Sequence, residues 1–581
     1  MGNCTSRKEQ FISLILLVIV FGLILFRIRF GIDYTDESWY VSEPYAVAQL
    51  GLKPFINNIM QAPGVTVPLA FAFKFFLIIN KSTEGIVLFS RTLYLVWGTI
   101  ISCLIVVLSR INSSVKLPYV FAPCLLVSLN AGSLFDLNYF TIGLMYYPLI
   151  LIVLCWKCKT IRGNVLKGIV AVLIACRAII ATPQIIVGLA VILLYLCIRK
   201  KLDVLLGILL GSILAGMIFF SYIFASGGFS QFCTWIQMFF SQAYFSIAKQ
   251  YTIYSTIKSV LLFLIPSIVI FSSLCLLQIS GKLNLQLIRV IMLVSIIVGA
   301  TISVMRQDYL GYYLGSWTWA MPYIYYLFSE KDDYKEKISV ACLSYLAIFL
   351  LASFSNIYGF ENERVYWLYV PVLLIAAMVY HDKDLNTAIR EKQNISRLWT
   401  VALCGFIVFK VVGIYDYVYR DDDIELLTVR IEQGIWKGIR TTQNRAEDSM
   451  EVEEYLKAIT SDNENVLCLD WASFGYLMIN SNSKICAPTT LDASCYTYGV
   501  NNPTTYFDYF IATKNVPDSI IYIDYGRDAL LSVDNDVWLF SDFVKENYIE
   551  EDSFRNDTFC VRKYSLDNKE NAYQYVLNYD N

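Results

Sequence analysis

Residues 64–79 read Gly-Val-Thr-Val-Pro-Leu-Ala-Phe-Ala-Phe-Lys-Phe-Phe-Leu-Ile-Ile. The run is apolar enough for hydrocarbon, yet it is short and carries Pro68 and Lys74. Its reading sets the side of every later loop, because one extra crossing exchanges inside for outside. Counted as a span, it would put the later basic connections outside the cell, against the bias of Lys and Arg toward cytoplasmic loops. It is therefore read as a helix lying in the outer interface of a membrane.

The rest of the chain supports a membrane setting. Of 581 residues, 57% are hydrophobic and 16% charged, with mean hydropathy +0.53. A soluble protein of this size carries about 25% charge. Apolar runs fall near 11–30, 88–109, 117–133, 138–156, 164–180, 183–198, 202–225, 257–279, 286–304, 312–328, 338–354, 363–380 and 398–415. Runs of about 17–25 residues match roughly 30 Å of hydrocarbon. The fold class expected is a polytopic α-helical membrane protein with about thirteen transmembrane helices. The net charge of -2 gives no sign of nucleic-acid binding. The one histidine, His381, lies in a polar connection, which weakens a His-based zinc site or triad. Met-Gly-Asn-Cys-Thr-Ser6 fits a myristoylation pattern, but a chain with many spans gains little from a lipid anchor. No small-residue cleavage site follows residues 11–30, which are read as an uncleaved first span.

The connections divide by charge. Arg7 and Lys8, Arg110 and Lys116, the Lys157–Lys167 cluster, Arg199–Lys201, Lys282 and Arg289, Lys331–Lys337 and Lys383–Arg397 fall on one side. Connections 131–137 and 355–362 have no Lys or Arg, and 305–311 has only Arg306. The first set is assigned to the cytoplasm. The first outer loop then runs from 31 to 88, long enough to suggest function. Residues 1–415 form the membrane module. Residues 416–581 turn polar and make a second, extracytoplasmic domain of small α/β type. Val466–Leu469, Ile520–Ile523 and Phe559–Val561 read as strands, and Thr505–Ala512 and Trp538–Tyr548 as helices. Asp448 and Glu451 suggest a helix start before Val452–Ile459. That domain has no glycine-rich phosphate loop. Cysteines in the spans act as small hydrophobes; in the outer domain, a Cys486–Cys495 bridge and free thiols both stay open.

Candidate chemistry sits just after the first span, in Asp33-Tyr-Thr-Asp36-Glu37-Ser-Trp-Tyr40. A carboxylate at mid-bilayer costs at least about 3 kcal/mol, so these acids belong at the water boundary. On a strand or loop, neighbours Asp36 and Glu37 point apart and take different tasks: one a base, the other a structural or cation partner. Solvated loop acids are the plain alternative. Trp39 and Tyr40 would raise a nearby carboxyl's pKa and improve a base. Arg91 opens the second span, where its guanidinium suits a phosphate; snorkelling explains it equally. Asp136 stands in the short second outer connection as a second acid or as a helix N-cap. Arg306 with Asp308 forms another outer polar spot, and Lys53 and Lys249 are weaker candidates. Gln61-Ala-Pro63-Gly64 directs the chain into the interfacial helix.

The order Asp36-Glu37-x-x-Tyr40, Gly51-x-x-Pro54, Pro63 and Pro68, then Arg91 resembles the multi-spanning GT-C-type glycosyltransferases. The nearest group is the protein O-mannosyltransferases and lipid A aminoarabinose transferases. The resemblance covers roughly residues 1–200 in motif order and the membrane module in topology. It implies transfer of a sugar from a polyprenyl-phosphate carrier to a lipid, glycan or protein acceptor on the outer face. Asp36 would face the acceptor hydroxyl, Asp136 would be the second acid and Arg91 would lie near the carrier phosphate; Tyr40, Lys53, Gln61 and Arg306 would line the substrate site. The family often has Lys-Pro or Pro-Pro where this chain has Gln61-Ala-Pro63, so Gln61 departs from the pattern. The reaction calls for no cofactor beyond, at most, a divalent cation. A carrier-linked glycan polymerase or ligase, and a lipid or solute transporter, are the rival readings. A transporter would place ionisable residues at mid-membrane in related halves, and Arg177 is the residue that most favours it.

Overall fold

The computed structural model describes residues 2–34, 36–49, 51–56, 63–129, 134–233, 333–354, most of 404–470, 474–479, 483–485, 513–525 and 541–579, with a few isolated positions besides. Gln61, Lys249, Arg306, Asp308, the Cys486–Cys495 pair, helix 505–512 for the most part, and the spans expected at 257–279, 286–304, 312–328 and 363–380 lie outside the described residues.

The N-terminal part runs as α1 (Gly2–Arg27), α2 (Asp36–Gln49), α3 (Pro63–Asn80), α4 (Ile86–Asn112), α5 (Phe121–Ser128), α6 (Tyr139–Leu154), α7 (Ile161–Ala181), α8 (Ile185–Ile198), α9 (Leu202–Ser226) and α10 (Asp333–Phe354). Among the described residues, Glu9–Arg27, Ile86–Asn112, Ile161–Ala181 and Leu202–Ser226 are long and apolar enough to cross a membrane. Helix α5 corrects one expected span. Over 117–133 the helix has 8 residues, about 12 Å, too short for the hydrocarbon core. Pro118 precedes its start and Pro123 is held in its first turn, and the short piece is buried throughout. A second correction concerns the acid motif: Asp36 and Glu37 open helix α2 and do not lie in a loop.

Polar contacts sort the connections to two ends. At one end Gln10 Nε2 donates to Tyr119 Oη (2.6 Å), Lys337 Nζ to Ser114 Oγ (3.0 Å) and Lys167 Nζ to Trp156 O (3.1 Å). Arg199 pairs with Glu336 there, and Asn164 donates to Asp203 at the start of α9 (2.5 Å). The described basic connections thus gather together, as their charge suggests. The acid motif, the start of α4, Asp136 and the C-terminal region meet at the opposite end.

Helix α2 stays at that second end along its whole length. It begins beside Tyr419 and Arg420. Just past its C-terminus Lys53 Nζ donates to Ser226 O (2.8 Å) and Tyr222 Oη to Pro54 O (3.0 Å), where α9 finishes. So α2 lies across the bundle end, not along it. Helix α3, the one expected over 64–79, packs on α2 and α7 and leaves Phe71, Phe75, Ile78 and Ile79 exposed. It returns to the same end, where Lys437 Nζ meets Glu84 Oε2 at 3.0 Å. Deeper in the bundle, α7 and α9 approach through glycine. A Cβ on Gly168 would stand 2.8 Å from Ile208 N, and one on Gly211 3.0 Å from Ile169 Cα. Small residues of this kind allow helix backbones to touch in a membrane.

The C-terminal region is built on a five-stranded sheet, β3 (Asn465–Asp470), β4 (Lys484–Ile485), β5 (Ser519–Tyr525), β6 (Tyr548–Arg555) and β7 (Phe559–Leu566), in the order β4-β3-β5-β7-β6. A small ladder of β1 (Val429–Arg430) and β2 (Arg440–Thr441) precedes it. The strands expected at 466–469, 520–523 and 559–561 are the three adjacent inner ones. β3 pairs with β4 and β5 in parallel, while β7 runs antiparallel to β5 and β6. Helix α11 (Gln443–Ile459) starts well before Asp448, from Thr442 in extended conformation. Asp448 instead lies inside that helix, where Thr558 Oγ1 donates to it. The helix expected over 538–548 is α13 (Ser541–Asn547), following the short α12 (Gly475–Met478), and Tyr548 already belongs to β6. That edge strand is charge-rich and mostly exposed, so it lacks the apolar signature of an inner strand. Helix α14 (Lys569–Asn578) closes the chain, capped by Asn568. Among the described residues, Cys468 and Cys560 form no disulfide.

The two regions share one contiguous apolar core. Phe30 bridges Arg440 in strand fashion: Arg440 N donates to Arg29 O (2.6 Å) and Gly31 N to Arg440 O (2.8 Å). Tyr34 wedges its ring edge-on against Trp436 (5.5 Å) and Phe559 (5.0 Å), with its hydroxyl 2.7 Å from Ser449 Oγ. Gly31 has φ +86°, and any side chain there would collide with Val418. Only glycine fits that turn.

Candidate functional site

Asp33 begins the site. Its Oδ2 accepts the backbone N–H of Glu37 (2.9 Å), satisfying a free donor at the start of α2. Asp36 and Glu37 occupy the first turn, where the helix dipole favours negative charge. Successive helical positions differ by about 100°, so the two side chains part as expected. Glu37 turns inward and is 0% exposed. Asp36 turns outward, its side chain 42% exposed.

Arg91 meets Glu37 in a two-pronged pair, Nε to Oε1 at 2.5 Å and Nη2 to Oε2 at 2.6 Å. Nη1 donates to Ile28 O (2.8 Å) and Phe30 O (3.4 Å), and Nη2 also to Gly31 O (2.8 Å). All five N–H groups of the guanidinium are engaged. So engaged, Arg91 holds the 28–31 turn and α2 onto α4 and offers no free N–H to a carrier phosphate in this arrangement. Glu37 is likewise a structural partner, with no free edge for a substrate.

Asp136 lies behind this pair and is fully buried. Ser90 Oγ donates to its Oδ1 (3.3 Å), while Oδ2 and the nearby Tyr94 hydroxyl have no partner among the described residues. It does not cap α6; Asn138 does, accepting from Thr141 N at 2.9 Å. Burial, and then the charge of Glu37, push the Asp136 carboxyl well above the ordinary range, against the pull of Arg91 and Ser90. A carboxyl whose pKa rises on folding binds its proton more tightly in the native state. Its contribution to stability is complete below the unfolded value of about 4 and is lost as pH rises through the folded value. Asp136→Asn should therefore flatten the fall of melting temperature between mildly acidic and alkaline pH. Parallel melting curves for variant and wild type across that range would refute this assignment.

Asp36 keeps different company. The Tyr419 hydroxyl donates to its Oδ2, and Arg420 Nη2 stands 3.3 Å from the same oxygen. Burial and the charge of Asp36 hold the Tyr419 phenol above its ordinary range, so it stays a donor. Next in sequence, buried Asp421 accepts from Ile32 N (2.7 Å) and Thr441 Oγ1 (2.8 Å) and pairs with Arg445 (3.1 Å). It pins the 419–421 corner beside α2. Arg27, at the end of α1, donates to the carbonyls of Ile414 (2.9 Å) and Tyr417 (3.0 Å) and ties the same corner from below.

Tyr40 is one turn on from Asp36, half-buried, with its ring 6.4 Å from that of Tyr139. Lys53 is spent on the Ser226 carbonyl at the far end of α2. The structure thus brings Asp36, Glu37, Tyr40, Arg91 and Asp136 to one end and separates them by role. Tyr419, Arg420, Asp421, Arg445 and Arg27 were not singled out as site residues from sequence. One signal was available: Tyr-Arg-Asp-Asp-Asp423 follows the last apolar run as Asp33–Tyr40 follows the first. Among the described residues, no three His, Cys, Asp or Glu side chains converge as metal ligands. No protein-family model matches the chain, and no curated protein sequence matches it either.

Proposed function

We propose that this chain is an integral-membrane glycosyltransferase that moves a sugar from a polyprenyl-phosphate carrier to a hydroxyl acceptor at the outer face, with inversion. The observation that carries this reading is the exposure of Asp36 beside a deep cluster of sealed acids. Asp33, Glu37 and Asp136 are 2%, 0% and 0% exposed, so Asp36 is the motif acid that an acceptor can reach. It serves as the base that takes the acceptor proton, oriented by the Tyr419 hydroxyl. A phosphate is already a good leaving group, so the protein's task is to orient acceptor and donor and to neutralise departing charge. Glu37, Arg91 and Asp136 act as positioning residues that set the angle of α2. In this reading the end bearing Asp36 and the C-terminal sheet is extracytoplasmic, the basic end cytoplasmic, and α3 rests in the outer interface.

Deleting the gene should cause a carrier-linked sugar to accumulate, seen by mass spectrometry of polyprenyl-phosphate sugars in the cell envelope. Re-expression should clear it and restore the glycan. An unchanged carrier pool and unchanged envelope glycans would refute the proposal. A product with retained anomeric configuration would refute single displacement.

A further inference from the structure

Arg177 is placed where an arginine is costly without a partner. It lies four residues before the end of α7, on the stripe that continues exposed Leu166, Val170 and Leu173 at helical spacing. No carboxylate pairs with it among the described residues, and its Nη1 has neither a hydrogen-bond partner nor accessible surface. Its guanidinium stands 5.8 Å from the Tyr146 ring centroid on α6. The Tyr146 hydroxyl accepts from the Trp97 indole of α4 (3.0 Å). Trp97 heads a stripe of exposed Ile100 and Leu104. Three helices therefore bring a guanidinium with no carboxylate partner among the described residues, the tyrosine hydroxyl that it bonds and one indole to a wall of exposed apolar side chains.

Four residues of α7, seven of α6 and eleven of α4 correspond to roughly 6–16 Å below the helix ends, from the headgroup boundary into the upper half of the bilayer. A cation there with no counter-charge among the described residues marks a site by default, and a guanidinium matches the oxygens of a phosphate. We propose that Arg177, Tyr146 and Trp97 form a side-entry site for a phosphate headgroup, its lipid chain lying along the exposed stripes of α4 and α7. Apolar surroundings favour a lipid phosphate over the free anion, which has no chain to bury there. The test is independent of the transfer reaction, because occupancy is read without turnover.

The full-length protein in neutral phosphatidylcholine nanodiscs provides the test, with native mass spectrometry counting bound phosphatidate. Wild type should bind phosphatidate, and Arg177→Gln should weaken binding at least tenfold while leaving the melting temperature near wild type. Tyr146→Phe should weaken it two- to fivefold and covers the case in which Arg177→Gln fails to fold. Equal binding by a folded Arg177→Gln, or by Tyr146→Phe where that variant is the only one available, overturns the site. Displacement of phosphatidate by millimolar inorganic phosphate would show an aqueous anion site and overturn the lipid assignment.

Discussion

Replacing Glu37 with alanine should lower the stability of the chain by about 3–5 kcal/mol, because it leaves the Arg91 guanidinium buried without its counter-charge. The side chains are 0% and 6% exposed, so little solvent is present to screen the loss. Arg91→Met should cost at least as much. It strands a buried carboxylate and also removes the donor from the carbonyls of Ile28 and Gly31, each worth about 1–3 kcal/mol if left unpaired, while Phe30 O keeps Arg27 Nη1. The double substitution should recover only part of the sum, since the carbonyls remain orphaned. Unfolding of full-length protein in detergent, followed by thermal or denaturant melts, measures all three. A loss below about 1 kcal/mol for Glu37→Ala would mean that this pair does not hold α2 in place.

The second large effect is on turnover. Asp36→Asn keeps the shape and the half-exposed setting but removes the proton acceptor. General bases contribute about 10²–10⁴-fold, and transfer from a carrier-linked sugar should fall by that factor. The melting temperature should hardly move, since Asp36 and its ion-pair partner Arg420 are both exposed. Tyr419→Phe should cost less, because the hydroxyl only orients the carboxylate. Activity of Asp36→Asn within threefold of wild type would remove Asp36 from the mechanism. Glu37 gives the contrast: its loss should lower activity and stability together, whereas Asp36 should separate them.

Much of the scaffold was legible locally. The inner strands at 466–469, 520–523 and 559–561 announced themselves by β-branched and aromatic runs, and the basic connections by charge. Helix α2 did not, since its first turn is acidic and aromatic and Pro44 sits inside it. Its helicity rests on a cap from Asp33 and on burial against α3, neither visible as an apolar period. Arg91 looked like a phosphate ligand because residue type and position at a span start say nothing of a partner 54 residues away. Tyr419 and Arg420 are harder still. They meet Asp36 across 383 residues of the chain, and no periodicity encodes such a pairing. Asp36 itself was found from sequence because its neighbours placed it at a boundary.

That long-range meeting has a consequence for biogenesis. Asp36 emerges early from the ribosome, while its phenol partner follows 383 residues later. At roughly 5–20 residues per second, the interval is about 20–80 s. Throughout it the helices are inserting, yet the acid has neither its orienting hydroxyl nor the corner pinned by Asp421. Until its own last third arrives, the nascent chain lacks the contacts that fix the start of α2 in its folded setting, and a truncated product never gains them.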